Sequence, residues 1–513
     1  MVLIYKCFLA CALLSLSIGC IHQNRSALKS ASSETQSDKN VDNTQFLYDL
    51  DFETPKSSDN VFWFTSTQAT KWPRPSDCAK GFKQSYVRDD MTHGIQSFSL
   101  EFFGPHCPDV NHYGVATLPA SLFRSRKLDL TFDIKLSPGL AGSVMLKHGA
   151  KFETVQGIDY GSINWQKIKF AFDVEDTDED LLLVLSLTFT DPSANGRILF
   201  DNFILESSDT TYQGTSDFGS LIPSPESLKN LKSMVIADVL AESSVAAIAA
   251  KLAVSEIVGL GESTHGTLEF QTIKCALIKE LVLNHNLRNI GFEEYEDSGK
   301  EVDAFISGLS NSPSPEKLFK IKWWKTVPVR DLMIWLRNYN ASHPSQPVRF
   351  FGFDTLLPGV NRDKAMAENV HNYLSSSPSK KTVLWAHDAH VSKKTAMMGQ
   401  WLKSRNYSYG SLGFSFFKGK VLATDMLVTG KPTVYEYGSA PAYSADGISH
   451  SLGFDSFFAT SESIRASNVQ GLMRGFRRSI GSMPTKTYEF ISLPEHFDYL
   501  IHISNSTPID ILP

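Results

Sequence analysis

The spacing of apolar residues changes once along this chain, and that change bounds the folds open to it. Up to about residue 206 apolar and polar residues alternate. In "KLDLTFDIKL", Leu128, Leu130, Phe132, Ile134 and Leu136 share one face, with Asp129, Thr131, Asp133 and Lys135 on the other. "KIKFAFDV" repeats the device with Ile168, Phe170, Phe172 and Val174, and "LVLSLTF" and "RILFDNFIL" follow at turn-punctuated spacing. A two-residue period is that of half-buried strands, so residues 46–206 are expected to form an all-β sandwich. Beyond the Ser/Thr/Gly/Pro-rich linker at 207–222 the period lengthens. "TLEFQTIKCALIKELVL" sets Phe270, Ile273, Leu277 and Leu281 at helical spacing, and "PVRDLMIWLRNYN" and "DKAMAENVHNYL" behave likewise. Between the helices lie short apolar runs: "SEIVGLG", "LRNIGFE", "PVRFFGFD", "KTVLWAH" and "SYGSLGFSFF". This alternation predicts an α/β domain over 223–513, with a largely parallel sheet and flanking helices.

A length of 513 residues suits two such cores, and a net charge of −6 gives no reason to expect a nucleic-acid partner. The first twenty residues, "MVLIYKCFLACALLSLSIGC", carry one lysine and then an apolar run shorter than the ~20 residues that span a membrane. They read as a secretory signal, and their ending resembles that of bacterial lipoproteins. Lipidation at Cys20 would then anchor an exported protein at the cell surface or in the periplasm, the alternative being plain secretion with cleavage nearby. Residues 21–45, rich in Ser, Asn and Lys, read as a flexible tether. Export permits a Cys78–Cys107 bridge without establishing one, and no cysteine or histidine has zinc-finger spacing.

The chemistry is expected where the strands of the second domain end. The first apolar run stops at Gly261-Glu262 with His265 just beyond. The second ends in Glu293, the third in Asp354, and the fourth in His387, Asp388 and His390. Carboxyl ends of parallel strands share one edge, and ligand crevices lie along it. Four strands would thus bring acids and imidazoles to one rim. Singly, each residue has a plainer reading: a helix-start acid, a turn histidine, a solvated acidic patch around Glu293, Glu294 and Glu296. Together they point to a site. Lys274, two turns into the following helix, can lean back toward the rim or lie on a solvated face. Thr264 or Thr267 is expected to cap that helix. Asp354 is expected to hold a histidine or a backbone amide.

These motifs also carry a family likeness. "LGESTHGTLEF" resembles the "LGEATHGTxEF" signature of the erythromycin esterase family, and "IGFEEYEDSGKEVDAFISG", "IWLRNYNASHPSQPVRFFGFD", "VLWAHDAHVSK" and "FDYLIHISNST" follow in the family's order. The resemblance covers the second domain and implies hydrolysis of a carboxylic ester, a macrolactone or another, without a covalent intermediate. It implies His265 as general base on water, with Glu262, Glu293, His387 and His390 as site residues. Lys274 stands where the family has arginine, keeping the charge but losing the fork. Asp388 replaces the family's asparagine, a negative charge expected to favour protonation of both neighbouring histidines. His387, His390 and Lys274 are expected to polarise the ester carbonyl or protonate the leaving alcohol. No cofactor is expected. Two histidines and two glutamates are also zinc ligands, so a metal-assisted route is a near rival, though HExxH spacing is missing. A third reading is a cell-surface protein that binds a small ligand, such as haem or an anionic sugar, on the same rim without turnover. The first domain, closing on "GRILFDNFIL", resembles jelly-roll carbohydrate-binding modules. Trp63, Trp72 and Trp165 are therefore candidates to stack on sugars, against the commoner reading of core aromatics.

Overall fold

The computed structural model describes residues 63–69, 82–102, 110–118, 127–138, 140–148, 151–157, 163–173, 181–189, 195–206, 211–212, 221–309, 314–355, 361–424, 432–481 and 488–513. The signal, Cys20, the tether, Trp72, Cys78 and Cys107 lie outside them. Two compact units divide near Phe218 and Gly219, except that the short stretches 425–431 and 485–490, the latter holding most of strand Tyr488–Ile491, group with the first.

Among the described residues the first unit is all β and antiparallel. One sheet runs β1 (Trp63–Ala69), β4 (Val110–Leu118), β9 (Leu181–Phe189), β6 (Leu140–His148), β7 (Lys151–Gly157). The other runs β2 (Phe82–Val87), β3 (Ser97–Phe102), β10 (Gly196–Glu206), β5 (Lys127–Leu136), β8 (Gln166–Asp173), with β11 (Thr211–Tyr212) on β10. Alternation in β5 does what its sequence requires, since Leu130, Phe132, Ile134 and Leu136 are all buried. The closing motif adds a polar anchor. Asp201 is fully buried and accepts from the backbone N–H groups of Thr92 (2.6 Å) and His93 (2.9 Å), pinning the turn before β3. Trp165 does not present a free indole, because its Nε1–H donates to Asp90 (2.9 Å).

The second unit is a mixed nine-stranded sheet between helices. In chain order it comprises α1 (Pro225–Lys232), β12 (Ile236–Ala237), α2 (Glu242–Leu252), β13 (Ile257–Leu260), α3 (Leu268–Asn284), β14 (Asn289–Tyr295) and α4 (Glu296–Ile306). Then come α5 (Val327–Ser342), β15 (Arg349–Asp354), α6 (Arg362–Ser376), β16 (Thr382–Trp385), α7 (Asp388–Val391), α8 (Met398–Ser404), β17 (Tyr409–Thr424) and β18 (Pro432–Tyr437). After β19 (Ser456–Thr460), strands β20 (Gly475–Arg478) and β21 (Tyr488–Ile491) lie outside the sheet, and β22 (Tyr499–Ser506) returns to it. Six neighbouring strands, ordered β22-β17-β13-β16-β14-β15, are parallel. The sheet is mixed because β19 pairs antiparallel with both β12 and β22, and β18 folds back on β17.

Helices cover both faces, so the short parallel strands are buried throughout, as their unbroken apolar runs demand. Successive side chains of β16 go to opposite sides. Val383 and Trp385 join Phe270, Leu277 and Leu332 in one core, while Leu384 and Ala386 join Met366, Val370 and Leu402 in the other. Strands β13 and β16 are adjacent, yet the chain leaves β13 toward β14 and leaves β16 toward β17, on the opposite side. The first connection passes β16 on the face covered by α3 and the second passes β13 on the face covered by α8, so the carboxyl ends of the two strands lie between connections on opposite faces of the sheet.

Candidate active site

Register places the crevice residues. Leu260 pairs with Trp385, and the main chains stay together past the strand ends, where the Asp388 N–H donates to the Glu262 carbonyl (3.0 Å). Gly261 is required at this junction, since a Cβ would collide with the Asp388 carboxylate. Glu262 and His265 are thereby set against His387, and the His265 and His387 rings lie 5.5 Å apart between centroids.

Glu262 is fully buried, and the bonds of its carboxylate all come from side chains. One oxygen pairs with His265 Nδ1 at 2.6 Å; the other receives the Lys274 ammonium and the Trp385 indole N–H (3.0 Å). Burial pushes this carboxyl up, but Lys274 and then His265 outweigh it and hold it below the usual range. An ionised Glu262 fixes the Nδ1–H tautomer of His265 and leaves the Nε2 lone pair for chemistry. Trp323 stacks on the His265 ring at 5.8 Å and Trp324 meets it edge-on at 6.2 Å. Trp323 belongs to a one-turn 3₁₀ segment, Lys322–Trp324, whose approach is tied down by Glu294. That buried carboxylate accepts from the backbone N–H groups of Lys320 (3.0 Å) and Ile321 (2.9 Å).

Lys274 leans back from α3 as its direction predicts, but it stops behind Glu262. It is fully buried, with its ammonium 4.2 Å from the Trp385 ring centre. Burial, only partly opposed by Glu262, lowers its pKa to about 8. From this position it braces Glu262 rather than facing an ester. The α3 cap also differs from expectation. Thr267 holds the N-cap position without a side-chain cap bond, and the Thr264 hydroxyl accepts from the Gly266 N–H (3.2 Å).

Across the crevice, Glu293 accepts the His387 N–H (3.0 Å) on one oxygen and Arg362 (2.8 Å) on the other. Burial raises its pKa, and His390 and Arg362 more than reverse this. His387 accepts the Ala389 N–H on Nδ1 (3.2 Å), so its neutral form carries the proton on Nε2. That Nε2 is buried with no partner among the described residues. Burial, together with His265 and His390, keeps His387 well below the ordinary histidine range, so it is a neutral donor. His390 pairs with Asp363 through Nδ1 (2.8 Å), and its Nε2 lies 3.1 Å from Arg362 and 3.4 Å from Glu293. Burial disfavours its cation, but Asp363 and Glu293 push its pKa up to about 10.

Asp388 does not sit between the histidines as an uncompensated charge. It turns into the protein, pairs with Arg477 and faces the Phe414 N–H, so the expected protonation of His387 fails. Asp354 holds the backbone N–H of Thr355 (2.7 Å), but its second partner is the Arg362 guanidinium in place of a histidine. Ser263 is buried, with its hydroxyl unpartnered among the described residues. Among those residues no group of three or more His, Cys, Asp or Glu is arranged to hold a metal ion. The oxygens of Glu262 and Glu293 are already spent on hydrogen bonds, so this donor set does not fit a metal. Cys275 is a buried free thiol, raised to about 12 by burial.

Sequence reasoning missed Arg362, Asp363 and Trp385. The "NRDK" start of α6 looks like an ordinary charged first turn, and only the folded sheet shows where it points.

A family model for erythromycin esterase matches residues 282–358 and 356–506. The C-terminal region carries an erythromycin esterase domain. The matched residues include Glu293, Arg362, His387 and His390 and begin after Glu262, His265 and Lys274. Among solved structures, a succinoglycan biosynthesis protein is 18% identical, covers 56% of this chain and 100% of its own, and has a TM-score of 0.50, a likeness of fold. An erythromycin esterase variant in its open conformation is 14% identical over 51% of this chain and 93% of its own, with a TM-score of 0.42. The N-terminal region matches a xylan-binding domain from Paenibacillus barcinonensis at 16% identity, over 32% of this chain and 96% of that domain, with a TM-score of 0.22.

Proposed function

We propose that the erythromycin esterase domain hydrolyses a carboxylic ester, a macrolactone or another, with water activated by His265 and without an acyl-enzyme. The 2.6 Å contact between Glu262 and His265 Nδ1 carries this reading, because it makes Nε2 a base by construction. Nε2 takes a proton from water as the water oxygen bonds to the ester carbonyl carbon. The carbonyl π electrons move to oxygen, and the Nε2–H of neutral His387 donates to the oxyanion. Collapse then breaks the carbon–alkoxy bond, and the proton held by His265 passes to the departing alkoxide, leaving acid and alcohol. Proton transfer of this kind contributes about 10²–10⁴-fold, and an oxyanion donor about 10²–10³-fold. No step runs through a metal.

The test is a panel of macrolides, acetylated sugars and aryl esters, with wild type and His265→Ala. Wild type is expected to turn over part of the panel before and after dialysis against a chelator, and folded His265→Ala none of it. A folded, fully active His265→Ala refutes the mechanism. Loss of wild-type activity on dialysis, restored by zinc, favours the metal route, and purified protein that arrives coloured favours ligand binding. The reading further places the protein outside the cytoplasm, tethered through a lipid on Cys20, with the sandwich bringing the enzyme to a glycan. Cys20→Ala should release the protein from the membrane fraction, and a mutant that stays there removes the tether from the proposal.

A further inference from the structure

We propose that Arg362 and Asp363, consecutive residues in the first turn of α6, are positioning residues that hold the two histidines of the β16 end in their working orientation. This inference rests on the hydrolase reading for its functional meaning, but its geometry is independent of turnover. Residues at a helix start usually serve the helix's own amides. Here the amide of Lys364 is taken by the Asn361 side chain (3.0 Å), and Arg362 and Asp363 reach away from α6.

Each polar edge of the Arg362 guanidinium is used. Nε and one terminal nitrogen fork onto Asp354 (2.8 and 2.8 Å), and that terminal nitrogen also bonds Glu293 (2.8 Å). The other terminal nitrogen lies 3.1 Å from His390 Nε2. Asp363 holds the opposite side of the same ring at 2.8 Å and receives the Met398 N–H (3.0 Å), which ties the dyad to α8. In the cationic form His390 Nδ1–H donates to Asp363 and Nε2–H faces Glu293 (3.4 Å), the carboxylate that Arg362 holds, so the ring is fixed directly by Asp363 and through Glu293 by Arg362. Glu293 carries the same grip onward to the main chain, because its second oxygen accepts the backbone N–H of His387 and so fixes where that residue leaves β16. With Nδ1 and Nε2 both engaged, His390 has no ring nitrogen to offer an ester, and the free donor on this side is His387 Nε2.

A planar fork is needed to bind the Asp354 and Glu293 carboxylates together, and lysine cannot reproduce it. Arg362→Lys is thus expected to behave more like Arg362→Met than like wild type. Misplacing a donor by about 1 Å costs about 10²-fold, so kcat should fall by 10–100-fold with KM within about threefold.

The experiment uses the full chain labelled with ¹⁵N-histidine, in wild type, Arg362→Lys, Arg362→Met and the near-isosteric Asp363→Asn. Imidazole resonances are followed over pH, alongside thermal melting and ester turnover. His390 is assigned from the signals missing in His390→Gln. Asp363→Asn should lower the proton affinity of His390 at least tenfold, and both Arg362 variants should shift His390 and His387 resonances in a protein that still melts cooperatively. Unchanged imidazole signals in folded Arg362→Met and Asp363→Asn overturn the inference, whatever happens to the rate. Shifted signals in a protein that hydrolyses no ester leave the positioning intact and sink the hydrolase reading instead.

Discussion

Replacing Glu262 by glutamine changes one atom, and the structure says why that is severe. Glutamine presents one acceptor and one donor where three donors now converge: His265 Nδ1–H, the Lys274 ammonium and the Trp385 indole. If the amide nitrogen turns toward Lys274 and Trp385, two buried donors face a third. If it turns toward His265, it donates to Nδ1 and drives the proton to Nε2, removing the lone pair that takes the water proton. The second orientation leaves fewer groups unsatisfied, so the variant is expected to fold with the wrong tautomer. A wrong tautomer in a carboxylate–histidine pair costs about 10⁴-fold, or about 5.5 kcal/mol of barrier.

Stability falls as well. Removing one partner of a buried ion pair costs about 3–5 kcal/mol, and Lys274, already lowered to about 8, can shed its proton and hold the loss near the lower figure. At about 2–4 °C per kcal/mol, melting of the second unit drops by about 6–12 °C. The sign with pH follows from linkage. With Lys274 neutral when folded and protonated when unfolded, stability of the variant rises with pH until lysine's unfolded pKa near 10.4 is passed. In wild type the corresponding rise begins only near 8. Steady-state rates on one ester and melting curves at several pH values measure both. A Glu262→Gln protein within tenfold of wild-type rate and with unaltered melting refutes the argument.

Lys274→Arg keeps its charge to far higher pH. If loss of the ammonium sets the alkaline limb of the rate near pH 8, the variant's limb should move up by more than one unit, and a limb fixed in place assigns it elsewhere. Trp385→Phe keeps an aromatic ring beside Lys274 but deletes a donor to an anion, and should cost about 1.5–3 kcal/mol in chemical denaturation. Gly266→Ala places a Cβ into the Leu422 carbonyl and should destabilise by about 3 kcal/mol or more, detected by loss of cooperative melting.

How much of this was legible follows from what each residue depends on. The sandwich strand β5 and helix α3 show local periods, and their buried faces are the ones their spacing predicts. Glu262, Glu293, His387 and His390 lie at the ends of apolar runs, so parallel order alone was enough to bring them to one rim. Lys274 was placed in direction but not in depth, because nothing in its helix announces an indole and a carboxylate waiting beneath it. Asp388 was misread because its partner, Arg477, lies 89 positions later and belongs to no motif. Arg362 and Asp363 were missed for the same reason. Likewise β12, β18 and β19 pair antiparallel by long-range contact that no local period encodes.

The way the chain leaves β13 and β16 on opposite faces has a consequence for how such a protein can change. The two imidazoles that face each other stand on a backbone ladder shared by neighbouring strands, and neither strand hands its chain to the other. Loops leaving the other strands of the sheet belong to neither segment that carries these rings, so they can lengthen, shorten or trade side chains while the 5.5 Å between the rings is kept. A reactive floor fixed in that way lets the walls above it be refitted to new esters while the chemistry underneath stays the same.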